Sequence, residues 1–319
     1  MDVYFYEAFE EEARLIKKLI GNRLEFGLTD RTIQESGHSE PPARLISVRT
    51  QSVIPVAWQD RLDGVLSRTT GFDNLKTYRR LITRPVALGY LEEYATRAVA
   101  EQAILLLLAL LRKLPAQMKQ FKNFNRDGLT GLEAKGRKLL VVGVGRIGGE
   151  IVRIASGLGI EVRGVDIVRR HDFVHYVDRD EGLKWAEAII CAMNLTPENY
   201  HYFNYDLLKK ARPGVIFINI ARGEHAPLAD MLRLLREGHL GGLALDVFEN
   251  EPEVGTALRS GRLEGSAQAR IVAELLGFPN VIFTPHNAFN TAEALERKVS
   301  FSLEEIFYFL QNRTFRHSV

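Results

Sequence analysis

The chain has 319 residues, 46% of them apolar, and a net charge of +2 from 42 basic and 40 acidic side chains. That is enough chain for two domains and a large core, the apolar fraction excludes wholesale disorder, and the balanced charge gives no reason to expect nucleic acid or an anionic membrane as partner. The single cysteine, Cys191, excludes an internal disulfide and a cysteine metal cluster. It lies in the apolar run Ala188-Ile189-Ile190-Cys191-Ala192, the setting of an inert buried thiol.

The first residues, Met1 to Glu7, have neither a basic region nor a cleavable apolar stretch, so no signal peptide is expected. Val3 to Tyr6 reads as a strand, Phe9 to Leu19 as an amphipathic helix and Arg23 to Leu28 as a second strand. Residues 33 to 43 are polar, carry Gly37, Pro41 and Pro42, and read as loop. Leu45 to Val48 and Leu62 to Leu66 are strand-like, the second running into a turn at Ser67 to Asn74, and Val86 to Leu88 is another short strand. This alternation predicts a small α/β domain before residue 95. Glu92 to Leu114 reads as one long helix, apolar on more than one face from Ala98 onward, and such a helix needs a second domain or a second subunit to cover it. Its longest apolar run, Ala103 to Leu111, has nine residues, whereas a membrane span needs about twenty. The chain therefore reads as cytoplasmic, with no membrane partner.

A basic connection, Lys119 to Gly136, leads to the stretch around which the rest is arranged. Leu139 to Val142 is an apolar strand. A G-x-G-x-x-G on Gly143, Gly145 and Gly148 follows at once, then a helical pattern on Ile147, Ile151, Ile154 and Leu158, then a second strand, Ile160 to Val165, that stops at Asp166. Gly143 permits the tight turn, Gly145 lets a pyrophosphate approach the backbone, and Gly148 lets helix and strand pack closely. The helix N-terminus aims free N–H groups and its positive dipole end at the phosphates. Asp166 stands where an acid accepts hydrogen bonds from the adenosine ribose. The order strand, turn, helix, strand, acid predicts a dinucleotide site.

Beyond Asp166 comes a polar stretch with Arg169, Arg170, His171 and His175. Ala186 to Ala192, Val215 to Ile220, Leu243 to Val247 and Val281 to Thr284 read as strands, with helices near Leu195 to Asn199, Leu228 to Glu237 and Glu293 to Gln311. Residues 253 to 279 read as an insertion with a short helix near Ala267 to Leu276. In an open parallel sheet, ligands bind beyond the carboxyl ends of the strands, and three such ends carry polar chemistry: Arg222, the Asp246 to Glu251 group, and His286. An arginine can hold a substrate carboxylate and polarise a ketone. A histidine can give or take the hydroxyl proton, and a carboxylate can orient that imidazole and favour its charged form. No histidine pair has metal-ligand spacing beside an acid, so no metal is expected.

These residues resemble the NAD-dependent D-isomer-specific 2-hydroxyacid dehydrogenases over nearly the whole chain. Thr69-Thr70-Gly71-Phe72-Asp73-Asn74 is similar to the family's substrate loop and Val99-Ala100-Glu101-Gln102 to the start of its interdomain helix. Asn219-Ile220-Ala221-Arg222-Gly223, Asp246-Val247-Phe248-Glu249-Asn250-Glu251-Pro252 and Thr284-Pro285-His286-Asn287-Ala288 are similar to its three catalytic segments. The resemblance implies that Arg222, Glu251 and His286 do the chemistry. Glu249 is the second choice for the acid. Substrate is implied to meet Thr69, Thr70, Gly71 and Arg222. NAD is implied to meet Gly143, Gly145, Arg146, Ile147, Gly148, Asp166, Ala221 and Asp246, the last at the nicotinamide carboxamide. It implies an α/β fold in two parts: a Rossmann doubly wound parallel sheet over residues 96–290, and a smaller discontinuous flavodoxin-like domain, 1–95 with 291–319, for the substrate. It further implies a homodimer formed through the cofactor domain, a role that suits the helix of residues 98 to 111. The small-molecule partner would be a 2-oxo acid and its D-2-hydroxy acid. The same family includes NAD-sensing corepressors without catalysis, against which the near-zero net charge and the lack of long tails speak.

Two segments depart from the family pattern. Ala192 and Asn194 stand where His-x-Pro is common before Leu-Thr-Pro, and Glu224-His225-Ala226-Pro227 stands where small apolar residues and then an acid or amide are usual. Both bear on substrate choice and turnover rather than on fold. His225 is close enough to Arg222 to join its pocket. The other histidines, His38, His171, His175, His201, His239 and His317, lie in polar contexts and read as surface residues.

Overall fold

The computed structural model describes residues 1–319, the side chain of Glu264 apart. Two compact units divide the chain: Met1–Ala95 with Asn290–Val319, and Thr96–Phe289.

The first unit runs β1 (Val3–Phe5), α1 (Glu10–Ile20), β2 (Phe26–Leu28), α2 (Ile33–Ser36), β3 (Leu45–Val48), β4 (Gly64–Ser67), α3 (Asp73–Leu81) and β5 (Ala87–Tyr90). Its named strands pair in parallel, in the order β2-β1-β3-β4-β5, which is the flavodoxin arrangement. Ile46, Val65, Leu75 and Trp58 lie in its core. Residues 33–36, in a stretch whose polarity reads as loop, form one helical turn. Thr32 and Glu35 cap it reciprocally, the Thr32 hydroxyl accepting from the Glu35 amide and the Glu35 carboxylate from the Thr32 amide.

The interior of this unit also holds a charged cluster. Glu12 receives Arg68 Nε at 2.9 Å on one oxygen and Lys298 Nζ at 2.9 Å on the other. Arg68 donates on to Ser47 Oγ and the Tyr6 carbonyl. Despite its burial, the flanking cations hold the Glu12 carboxyl down at about 2, and burial pulls the Lys298 amine down to about 7. Removing one member of such a cluster costs about 3–5 kcal/mol, because the remaining charges stay buried without compensation. Glu12→Gln is therefore expected to lower the unfolding free energy by that order in urea at pH 7, and a loss below about 1 kcal/mol, the range of an exposed pair, would show that the cluster is not holding charge.

The second unit opens with α4 (Thr96–Leu111), so Glu92 to Ala95 precede the helix instead of forming its first turn. Lys113 leaves helical geometry at φ 54, and α5 (Leu114–Gln120) starts afresh with Pro115 in its first turn, where a missing N–H costs nothing. There follow β6 (Lys138–Val142), α6 (Arg146–Gly157), β7 (Glu161–Val165), α7 (Arg179–Trp185), β8 (Ala188–Cys191), α8 (Tyr205–Leu208), β9 (Val215–Asn219), α9 (Leu228–Arg236), β10 (Leu240–Leu245), α10 (Glu251–Ser260), α11 (Ala267–Leu275) and β11 (Val281–Phe283). The strands pair in parallel in the order β11-β10-β9-β8-β6-β7. The chain returns to the first unit in α12 (Ala292–Asn312).

Two of these helices fall in stretches whose composition reads otherwise. α7 lies in the polar segment after Asp166, and α10 reaches into the first third of the insertion, started by Pro252 with Glu251 and Glu253 in its first turn. The placement of α4 also corrects an expectation. Its apolar faces are covered inside its own unit by α6 and by β9, β10 and β11, with Leu105 the main exposed exception. The cover that its sequence asks for thus comes from within its own unit. Cys191 is buried, and burial pushes its thiol up to about 12, far from reactive thiolate. Among the described residues, no helix is long and apolar enough to cross a membrane.

Candidate active site

In the second sheet the chain turns one way from β6 to β7 and the other way from β8 onward, so the switch point lies between β6 and β8. In open sheets of this kind ligands bind at that point, beyond the carboxyl ends of the strands. Gly143, at φ 89, leaves β6 against the β8 exit, where a Cβ would fall 2.6 Å from the Met193 nitrogen and 2.7 Å from the Ala192 carbonyl carbon. Gly148 packs on the Gly143 carbonyl, 2.0 Å from where its Cβ would stand. A Cβ on Gly145 would meet nothing within 4 Å. The turn is thus closed where it must be tight and open beside the start of α6, where the first N–H groups lack intrahelical acceptors. Those features fit a pyrophosphate. Arg146 and Ile147 are the first residues of α6.

Asp166, just past β7, is half-buried. Its carboxylate accepts from the Val144 amide at 2.6 Å, which buttresses the glycine turn, and from the Val168 amide at 2.9 Å, which shapes the chain beyond the strand. His171 buttresses the glycine turn from outside. Its Nε2 lies 3.1 Å from the Gly145 carbonyl and its ring covers Gly149. It is a partner of the phosphate turn, not the surface residue that its polar context suggests.

The other chemistry comes from three neighbouring strands. Asn219 ends β9, and its buried amide donates to the Arg222 carbonyl at 2.8 Å and accepts from the Ala221 amide at 3.1 Å, which folds the turn that presents Arg222. Arg222 is half-buried, with Nη1 donating to the Ala221 carbonyl. Gly223 lets this turn press on the next one: a Cβ there would fall 2.1 Å from the Phe248 carbonyl carbon. Asp246 follows β10 and is 1% exposed. Its carboxylate accepts from Thr284 Oγ1 and from the Asn287 and Ala288 amides, and its own carbonyl accepts from the His286 amide at 2.9 Å. That clamp holds His286 at φ 50, a conformation a histidine adopts only under constraint. His286 Nδ1 lies 2.8 Å from Glu251 Oε2. The other Glu251 oxygen is buried with no hydrogen-bond partner.

Glu249, the second choice of acid, is engaged elsewhere. One oxygen meets His201 Nε2 at 2.6 Å and the other accepts from the Leu228 amide, capping α9 where Pro227 offers no side-chain cap. His225 is fully buried, with Nδ1 3.2 Å from the Asn199 carbonyl and Nε2 3.3 Å from the Met193 carbonyl. His201 and Glu249, and His225 with the segment leaving β8, thus pair their polar groups with one another and with the backbone. Three more histidines are less peripheral than their contexts suggest: His239 is buried on the Leu208 carbonyl, His38 meets the Tyr6 hydroxyl, and His317 meets Glu305, whereas His175 is exposed as its context suggests. In the first unit, at the carboxyl end of β4, Thr69 is buried and its hydroxyl bonds Ser67 Oγ and the Gly71 carbonyl, while Thr70 is exposed. Among the described residues, no cluster of three or more His, Cys, Asp or Glu side chains could hold a metal.

Residues 104–288 match the family model for the D-isomer specific 2-hydroxyacid dehydrogenase, NAD binding domain. An aromatic 2-oxoacid reductase of Clostridium sporogenes is 31% identical over 243 residues, 74% of this chain and 72% of the relative. The chain belongs to the D-isomer specific 2-hydroxyacid dehydrogenase family. A D-lactate dehydrogenase of Escherichia coli is 30% identical over 282 residues, 85% of this chain and 83% of that one. A crystal structure of D-lactate dehydrogenase from Aquifex aeolicus, complexed with NAD and lactic acid, superposes with a TM-score of 0.85 over 98% of this chain and 96% of that chain, at 26% identity. The dehydrogenase is thus an NAD-dependent oxidoreductase that moves a hydride between the nicotinamide and a 2-oxo acid or D-2-hydroxy acid pair, and the corepressor reading is not favoured.

Proposed function

We propose that Arg222 anchors the carboxylate of the 2-oxo acid, that His286 gives and takes the hydroxyl proton, and that Glu251 fixes the His286 ring. The observation that carries this reading is the 2.8 Å contact between His286 Nδ1 and Glu251 Oε2, at the end of a strand two away from the one that presents Arg222. When bound, NADH supplies the hydride for reduction and NAD+ accepts it in oxidation. The guanidinium fork matches a planar carboxylate and, by its charge, draws electron density from the adjoining ketone. An ionised Glu251 only accepts hydrogen bonds, so His286 keeps a proton on Nδ1 and exchanges the other at Nε2. In reduction the imidazolium hands that proton to the nascent alkoxide. In oxidation the neutral ring takes it back.

The other contacts follow from unused acceptor positions. A carboxylate has about four. Asp166 spends one on the Val144 amide of the glycine turn and one on the Val168 amide, leaving two for the ribose hydroxyls, and Asp246 spends three on the His286 loop, leaving one for the nicotinamide carboxamide. Thr69, Thr70 and Gly71 would contact the substrate through their backbone. The substrate class spans small and aromatic 2-oxo acids, as the lactate and aromatic relatives do. A homodimer and a cytoplasmic location belong to the same reading. The dimer is supported by exposed apolar side chains on Leu105, Leu114, Met118, Phe121, Phe124 and Leu132, a run of the kind that marks association surfaces.

The test is steady-state turnover of glyoxylate, hydroxypyruvate, pyruvate, branched and aromatic 2-oxo acids with NADH and with NADPH. NADH is expected to be the better cofactor, because Asp166 repels a 2′-phosphate, and Asp166→Ala is expected to narrow the preference. Equal or better efficiency with NADPH in the parent enzyme would transfer the ribose contact to Arg169 or Arg170.

A further inference from the structure

His225 is fully buried in the turn that presents Arg222, with a hydrogen-bonding nitrogen on each side of its ring facing a backbone carbonyl. Both carbonyls belong to the segment leaving β8: Nε2 is 3.3 Å from Met193 and Nδ1 is 3.2 Å from Asn199. The backbones of the two segments are tied as well, the His201 amide to the Glu224 carbonyl and the Phe203 amide to the His225 carbonyl, each at 2.8 Å. Burial lowers the His225 pKa, so the ring is neutral and owns one N–H. It donates to one of the two carbonyls.

The ends of this connection matter. On one side, Met193 is the residue whose backbone nitrogen lies 2.6 Å from where a Gly143 Cβ would be, so it abuts the turn that cradles the dinucleotide. On the other, the His225 amide donates to the Arg222 carbonyl at 3.2 Å, and the Asn219 amide holds the same carbonyl from below. The contacts run without a gap from Gly143 through Met193 and His225 to Arg222. Residues 192 to 195 contain no proline to stiffen that path.

We infer that His225 is a positioning residue: its ring bond to the Met193 carbonyl sets the separation between the dinucleotide turn and the Arg222 guanidinium. It touches neither substrate nor cofactor. The inference rests on Arg222 being the carboxylate anchor. Because the bond to Met193 is the one that leads to the cofactor turn, the ring nitrogen that matters is Nε2.

The experiment compares His225→Leu, His225→Asn and His225→Gln for KM and kcat with the best 2-oxo acid, for NADH affinity by fluorescence titration, and for Tm. Leucine keeps apolar bulk and removes the ring's hydrogen bond whichever carbonyl receives it. The asparagine amide stands near the Nδ1 position and the glutamine amide reaches the Nε2 position. Misplacing reacting groups by about 1 Å can cost on the order of a hundredfold, so His225→Leu is expected to raise KM for the acid and lower kcat/KM by roughly tenfold to a hundredfold, with NADH affinity nearly unchanged. His225→Gln is expected to recover most of that loss and His225→Asn little. A purely structural role would lower Tm and the active fraction, hence kcat, and leave KM alone. A His225→Leu enzyme with parental kcat/KM overturns the inference and leaves the functional reading standing. If His225→Leu does not fold, equal KM values in the Gln and Asn enzymes overturn it. A parent enzyme that reduces no 2-oxo acid sinks the functional reading and this inference together.

Discussion

His286→Ala is expected to lower kcat in both directions by about 10² to 10⁴, the usual worth of general acid–base catalysis. The ring has the position for that work. Its Nδ1 is committed to Glu251, its backbone is held in the left-handed region by the Asp246 and Thr284 carbonyls, and the side chain is still 36% exposed, so Nε2 can reach a ligand. Alanine removes the proton carrier without disturbing the clamp, because the clamp is made by the main chain of 284 to 288 and the Asp246 carboxylate. NADH affinity and Tm are therefore expected to stay close to the parent values. Glu251→Gln should fall between parent and His286→Ala, since an amide oxygen can still accept from Nδ1 but no longer balances an imidazolium. Near-parental turnover by His286→Ala would remove His286 from the reaction.

Arg222→Lys is expected to cost roughly tenfold to a hundredfold in kcat/KM for 2-oxo acids, the equivalent of one charge-assisted hydrogen bond at about 1.5–3 kcal/mol. Lysine keeps the charge and loses the fork, so the loss isolates geometry from charge. NADH binding should be nearly unaffected, because the glycine turn is built by other residues. Gly223→Ala is the companion variant. Its methyl would collide with the Phe248 carbonyl carbon and the Glu249 nitrogen at 2.1 and 2.6 Å, both backbone atoms that cannot rotate away. The Arg222 turn would have to leave the Asp246–Glu251 segment, so activity should fall with the guanidinium intact. Parental kcat/KM in Arg222→Lys would show that Arg222 is not the anchor.

What could be read along the chain was what local physics encodes. The turn from Gly143 to Gly148 is legible because each glycine answers a short-range demand, and Asp166 because the strand before it ends there. Arg222, Asp246 and His286 are legible as polar residues at the ends of apolar runs. Even the helical turn at 33–36 had its signature in Thr32 and Glu35, outweighed by the polarity around it.

The rest depends on contacts between distant residues. That β9, β10 and β11 are neighbours follows from how the crossovers pack, and this adjacency carries His286 onto Glu251, 35 residues away, and leaves Glu249 to His201 across 48. Both glutamates belong to one short motif, and their spacing alone does not say which reaches the His286 ring. The apolar pattern of α4 states that the helix needs cover, and only packing shows that α6 and the second sheet supply it. His171, His201 and His225 sit in polar sequence, yet each meets a backbone carbonyl or carboxylate brought from elsewhere, because a folded chain must pair the polar groups it buries. Period, glycine spacing and chain ends of strands are local and survive in the sequence. Hydrogen-bond partners across the sheet are decided by topology, which no single segment contains.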